Sequence, residues 1–372
     1  MNELTLISKL ISFDSQSHKS NEAIVDFIAG LFPEEYVEKT PINLGDITNF
    51  NLKVKIDGKT NKNPIIFSGH LDTVPTSSKW TRDPFQVEEV DGKVFGLGSS
   101  DMKAGLTSII LTALYFVENS IVPERDVYLF FDCDEEVVGK GADDFLKNNN
   151  FENADVIIAE PTNCELQIGQ KGVFDVLVKV FGKSFHSSET CLSKNRKLNA
   201  IHKAMRIISE LENQEKKCEE LQDKLFCKPC HSICTIKGGT AGNVIPDYCE
   251  FSFNRRFLPS EDVNALIDEY KQTIKSVDKN AEIDIRFVGN ANLVDQQSEF
   301  MKKSKQIAEE VLGEAKISVM NGWTQAGKFN KWGNCLIWGP GDLKMAHQAD
   351  EYCPLDQIGK MVECYKELVS SK

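Results

Sequence analysis

Four short apolar runs in this chain end in, or lead straight to, a carboxylate or a histidine, and this pattern limits the fold more than any other feature. NPIIFSGHLDTVP runs out on His70 and Asp72, DVYLFFDCDEE on Glu135 and Glu136, and ADVIIAEPT on Glu160. NCLIWGPGDLKMAH leads to His347, and a further acid, Asp101, sits in the Gly-rich turn GLGSSDMKAG. Open α/β sheets place their sites just outside the carboxyl ends of the strands. One cluster of histidines and carboxylates, assembled from distant segments, is therefore expected. A cluster of that kind with no cysteine ligand points to hydrolytic zinc or a similar divalent metal.

The surrounding pattern gives the layout. Residues 1–172 alternate helical spacing, as at Ile24–Leu31 and Ala104–Phe116, with apolar runs at Ile65–Phe67, Val127–Phe131 and Val156–Ala159. That alternation predicts an α/β domain with a mostly parallel sheet. The middle differs. Val173–Phe181 alternates with period two, Leu198, Ile201, Met205, Ile208 and Leu211 trace a helix face, and Ile233–Lys237 and Tyr248–Arg256 read as strands. Ser260 is the expected N-cap of a helix with Val263, Leu266, Ile267 and Tyr270 on its apolar stripe. Ala281–Val288 closes a β-α-β-β-α-β order, the ferredoxin-like split βαβ. Residues 173–290 thus read as a domain inserted into a larger one formed by 1–172 and 291–372.

Bulk properties exclude some roles. A net charge of −13 argues against nonspecific nucleic-acid or anionic-membrane binding. No apolar run reaches the roughly 20 residues of a membrane span. The start, MNELTLISKLISFDS, has no basic region or small-residue cleavage site, and its Leu4, Ile7 and Ile11 suit an amphipathic helix. The 11 cysteines, an odd number with no regular framework, suggest free thiols, so a cytoplasmic protein is expected. Cys227-Lys-Pro-Cys230-His231 matches the haem-attachment string, but that chemistry needs export. A redox dithiol or an accessory metal is the alternative to incidental cysteines there.

The chemistry follows from residue types. His70 and Asp72 are two apart and face the same way on an extended strand. A metal-binding imidazole usually donates its other N–H to a carboxylate, and Asp72 is placed for that. Adjacent Glu135 and Glu136 would repel if both were buried. A cation resolves this for one, and the other can act as general base. His70, Asp101, Glu136, Glu160 and His347 make five ligands, which suit two metals about 3.5–4 Å apart sharing an aspartate. The reaction class is metal-assisted hydrolysis of an amide or ester.

GHLDTVP (69–75), GLGSSDMKAG (96–105), DEEVVGKGA (134–142), AEPT (159–162) and AHQADEY (346–352) resemble, in order, the motifs of the zinc-dependent amidohydrolase and exopeptidase family. That family includes acetylornithine deacetylase, succinyl-diaminopimelate desuccinylase, aminoacylase and glutamate carboxypeptidase. The resemblance implies two zinc ions, with cobalt or manganese as alternatives. His70, Asp101 and Glu160 would hold one, and Asp101, Glu136 and His347 the other. Glu135 would be the base and Asp72 the orienter of His70. It further implies a homodimer whose inserted domain serves as lid and dimerisation domain, with His186 of GKSFHSSE polarising the scissile carbonyl. Asn243 and Arg256 match substrate contacts. FHSSET, AEPT and GPGDLKMAHQADEY look most like acetylornithine deacetylase, which makes N2-acetyl-L-ornithine the expected substrate. WTQAGKF, with Thr324 and Lys328, looks more like desuccinylases, although an arginine usually stands where Lys328 does. Acetyl-lysine, acetyl-citrulline and dipeptides are the remaining alternatives within the family. From a different functional class, a non-catalytic binding module on an inactive hydrolase scaffold would be expected to hold no metal.

Overall fold

The computed structural model describes residues 1–191, 195, 197–218 and 220–371. It divides into two compact units. The first comprises Met1–Gly169, Leu293–Ser318 and Thr324–Lys372, and the second Gln170–Asn292 and Val319–Trp323.

The first unit is built on a nine-stranded mixed sheet among the described residues. Its centre is parallel: Val127–Asp132, Ile65–His70, Ala154–Ile158 and Gly333–Ile337 lie side by side in that order. Ile65–His70 and Ala154–Ile158 are buried at every residue, as parallel strands covered on both faces must be. Thr48–Ile56 joins the outer side of Val127–Asp132 antiparallel and pairs in turn with Val37–Asn43. The helix Lys103–Glu118 has twelve buried residues and packs beneath Leu355–Ser370. Its Ser108 hydroxyl donates to the Ile358 carbonyl at 3.2 Å. The first helix, Glu3–Ile11, is capped by the Asn2 side chain and buries the predicted Ile7 and Ile11.

One close approach fixes where the sheet and the helix Lys103–Glu118 meet. A Cβ on Gly105 would stand 2.0 Å from the Ala159 carbonyl oxygen. Only glycine lets the first turn of this helix lie against the end of the strand that leads to Glu160. Asp101, two residues before the helix, is thereby delivered to the same sheet end.

The second unit carries a four-stranded antiparallel sheet in the order Cys230–Gly238, Tyr248–Phe257, Gly172–Phe181, Glu282–Gly289. The helices Ala200–Cys218 and Val263–Val277 share a core with Phe174, Val176, Val178, Val180, Phe251 and Phe253. This is the β-α-β-β-α-β arrangement read from the sequence. Two details differ from expectation. The buried helix face runs through Ala200, Ala204, Ile207 and Leu211, while Met205 is 57% exposed. Small alanines let the helix seat closely on the sheet, which a pattern count of large apolar residues overlooks. The cap of Val263–Val277 is Asp262, which accepts from Asn264 and Ala265, and not Ser260.

Candidate metal centre

His70 closes its strand fully buried, with Nδ1 2.8 Å from the Asp72 carbonyl oxygen. That bond aims Nε2 away from the strand, to 3.0 Å from Asp101 Oδ1 and 3.9 Å from Glu160 Oε1. The other Asp101 oxygen lies 3.6 Å from His347 Nε2, which in turn stands 3.0 Å from Glu136 Oε2. Asp101 thus sits between the two histidines, one oxygen toward each. Ligand atoms of His70, Asp101 and Glu136 all lie within 4.8 Å of one another. All five predicted ligands converge on one place.

The electrostatics fit a cation. Loss of solvent pushes the Glu160 carboxyl well above its usual range, and repulsion from Asp101 adds to this. Half-buried Glu135 is pushed up to about 8, by desolvation first and then by the Glu136 and Asp101 charges against the opposing pull of His70. Burial works to raise Asp101 too, but the His70 hydrogen bond overcomes it and holds the carboxyl below its usual range. His347, bonded to Glu136, is raised to about 9. Without a cation these acids must borrow protons, and a divalent ion neutralises them directly. The donor set, imidazole and carboxylate with no thiolate, suits a divalent metal ion.

The supports of this cluster went partly unread in the sequence. Asp72 stands where predicted, but its carboxylate lies 3.5 Å from His70 Nδ1, farther than its own carbonyl. Its carboxylate oxygens accept the backbone N–H of Glu135 at 3.1 Å and of Glu136 at 3.3 Å, and the Ser17 hydroxyl at 2.9 Å. Glu351 was missed outright. Its buried carboxylate takes the backbone N–H groups of Gly98 at 2.8 Å and of Ser100 and Asp101 at 2.7 Å. Its place inside AHQADEY, four residues after His347, was the available signal. Gln325 also went unread: its amide donates to Asp132 and accepts from the Ser68 hydroxyl at 3.2 Å, tying the ends of the two central strands.

The predicted substrate contacts divide between the units. In the first, Thr324 is buried, and the Lys328 ammonium lies 2.7 Å from both the Gly139 carbonyl and an Asp143 carboxylate oxygen. In the second, exposed His186 pairs with Val244, and Ser187 donates to the Asn243 carbonyl at 2.9 Å, so His186 and Asn243 share one short ribbon. Half-buried Arg256 pairs in register with Cys230. Cys227 and Cys230 are exposed free thiols, and His231 behind them is buried with Nδ1 3.2 Å from the Tyr270 hydroxyl.

With the geometry in place, likeness to known proteins identifies the family. An acetylornithine deacetylase of Pectobacterium carotovorum is 29% identical over 369 residues, covering 96% of this chain and 91% of that one. A probable succinyl-diaminopimelate desuccinylase of Staphylococcus aureus is 27% identical over 395 residues, covering 98% and 96%. Among solved structures, the M20 family metallo-carboxypeptidase Sso-CP2 of Sulfolobus solfataricus superposes with a TM-score of 0.80 at 17% identity, over 100% of this chain and 99% of that one. A Bacillus subtilis protein described as a dinuclear metal binding peptidase of the M20 family gives 0.70 at 17% identity, over 99% and 98%. The profile of peptidase family M20/M25/M40 matches residues 66–371, and the chain belongs to that family of amide-bond hydrolases.

Proposed function

We propose that the protein removes the acyl group from an N-acyl amino acid with the help of two divalent metal ions, zinc in the first instance. The convergence of His70, Asp101, Glu136, Glu160 and His347 around one aspartate carries this reading. When bound, the metal pair supplies Lewis acidity toward the scissile carbonyl and lowers the pKa of the attacking water. Asp101 would serve both ions, with His70 and Glu160 on one side and Glu136 and His347 on the other.

Glu135 is the proposed general base. It takes a proton from water as water attacks the acyl carbon, then returns a proton to the departing amine nitrogen. An elevated pKa of about 8 suits a group that must both accept and release a proton near neutrality, and bound cations would lower it. Asp72 keeps Glu135 in place through the backbone and His70 through its carbonyl. Residues 173–290 are proposed as the lid and dimerisation domain, with His186 as the donor that stabilises the carbonyl oxygen as it gains charge. Asn243, Arg256 and Thr324 are the proposed substrate contacts, the Arg256 fork being suited to a carboxylate. The Lys328 ammonium bonds to Gly139 and Asp143, which favours a supporting role over the substrate contact expected for it.

The best single substrate is N2-acetyl-L-ornithine, which would place the enzyme in arginine biosynthesis. N-succinyl-LL-diaminopimelate is the second reading, since the relatives of comparable identity carry both names. Release of free amine from the two substrates by zinc- or cobalt-loaded protein separates them. Faster turnover of the acetyl compound is expected. Preference for the succinyl compound would move the assignment to the desuccinylase, and hydrolysis of neither would end both.

A further inference from the structure

The turn that carries Glu135 and Glu136, residues 133–139, joins the strand Val127–Asp132 to the helix Lys140–Asn148. It is tied from within. The Asp134 carbonyl accepts the N–H groups of Val137, Val138 and Gly139, and the Asp134 carboxylate accepts that of Gly141 at 2.8 Å. Asp72 takes the Glu135 and Glu136 N–H groups. Its far end is Gly139, left-handed at φ +75°, which caps the next helix with no side-chain hydrogen bond.

Lys328 meets that end of the turn. Its Nζ donates to the Gly139 carbonyl at 2.7 Å and pairs with Asp143, in the first turn of the helix, at 2.7 Å. The Gly139 carbonyl also accepts the Asp143 N–H at 3.2 Å, so cap, first turn and ammonium form one closed set. The Lys328 side chain is only 11% exposed and Gly139 is buried, so the bond to the carbonyl is sheltered, whereas Asp143 is 61% exposed and its ion pair is open to solvent. A Cβ on Gly139 would stand 2.9 Å from Nζ, so glycine also makes room for it.

The base of Lys328 is equally fixed. It lies on the short helix Ala326–Phe329, whose Ala326 and Phe329 are fully buried and whose Phe329 stacks on Trp332 at 4.9 Å. One residue before that helix, Gln325 bonds to Asp132 and Ser68 on the two central strands. The stem of Lys328 therefore stands on the strands that end at His70 and Asp132, and its tip holds the far end of the turn between Glu135 and the next helix.

We propose that Lys328 is a positioning residue: a strut, seated through Gln325 on the central strands, that holds the Glu135–Glu136 turn in register with His70. This rests on the reading that Glu135 and Glu136 carry the chemistry.

Lys328→Met, Lys328→Arg, Asp143→Asn and Glu135→Gln, each loaded with zinc, are assayed on the acetyl and succinyl substrates. Misplacing a reacting group by a fraction of an ångström to an ångström costs up to about 100-fold, so Lys328→Met is expected to lose about tenfold or more in kcat. KM should stay within about threefold, because no ground-state binding contact is removed. The loss should be the same for both substrates. Lys328→Arg should recover most of it, and Asp143→Asn should lower kcat in the same direction. A raised KM with kcat intact, or a loss confined to the succinyl substrate, would make Lys328 a substrate contact and overturn the proposal. So would unchanged kcat in Lys328→Met. If Lys328→Met fails to fold, exposed Asp143 carries the test, and unchanged kcat in Asp143→Asn overturns it. An active Glu135→Gln would instead bring down the reading of the site beneath it.

Discussion

Asp72 and Glu351 show how single carboxylates hold this site together without facing the reacting atoms. Each turns its oxygens to backbone N–H groups of a loop that carries a functional acid: Asp72 to the Glu135–Glu136 turn, Glu351 to the loop bearing Asp101. Removing Glu351 strands three buried donors, at about 1–3 kcal/mol for each left unsatisfied. Glu351→Ala should therefore destabilise the fold and weaken metal binding by about 10–100-fold, measured by competition with a chromophoric chelator. Unchanged affinity would mean that Asp101 holds its place unaided. Glu135→Gln should lose about 10²–10⁴ in turnover while metal content, read by elemental analysis, stays that of the parent protein. The ligands themselves were legible because each ends a strand or a Gly-rich turn. Glu351 was not, because its task is bonding to main chain, which leaves no spacing pattern. The orientation of His70 was half legible. Asp72 supplies the acceptor through its carbonyl, since its carboxylate is drawn off to the turn of residues 135–136.

At the level of elements, the site depends on how closely the helix Lys103–Glu118 lies against the strand end at Ala159. Gly105→Ala would push a methyl against that carbonyl, 2.0 Å away. Overpacking of this kind costs about 1–3 kcal/mol, so a drop in denaturation midpoint and a looser metal centre are both expected. Full stability in this variant would show that the helix can shift without cost. In the second unit, Asp262→Ala should cost about 0.5–2 kcal/mol, since its carboxylate caps Val263–Val277 through Asn264 and Ala265. The sequence marked the start of that helix but favoured Ser260. Both residue types cap well, and the competition is decided by tertiary bonds. Glu261 is drawn to Arg255 at 2.8 Å and to the Leu258 N–H at 2.7 Å, which sets the chain path and leaves Asp262 at the cap. The parallel core strands were legible from their continuous apolar runs. The hairpin Val37–Asn43 and Thr48–Ile56 went unread, although Phe50, Leu52, Val54 and Ile56 alternate with Asn51, Lys53 and Lys55 along its second strand; only the first, VEKTPIN, gives no such signal.

For the whole molecule, the charge balance of the site predicts a link between metal, pH and stability. Burial pushes Asp132, Glu135 and Glu351 up to about 8. Each keeps its proton in the folded chain at a pH where the unfolded chain, with carboxyl pKa near about 4, has released it. Protein stripped of metal should therefore lose stability as pH rises from about 5 to about 7. His70 and His347, both raised, act in the same direction, because the unfolded histidines lose their protons first. Lys103, pushed down to about 7 by burial, opposes this only above that pH. Added zinc replaces the protons, so its gain in melting temperature should be larger near pH 7 than near pH 5.5. A stripped protein that grows more stable across that window would contradict the assignment of these acids. Among the described residues no helix is long and apolar enough to cross a membrane.

The most direct test of the proposed centre is the number of metal ions held per chain. Stripped protein titrated with zinc, then freed of loose ions and measured by elemental analysis, should hold two per chain, falling to one or none in Asp101→Asn, because the shared aspartate serves both. A parent protein that retains fewer than two, or an Asp101→Asn variant that retains both, would contradict the dinuclear site.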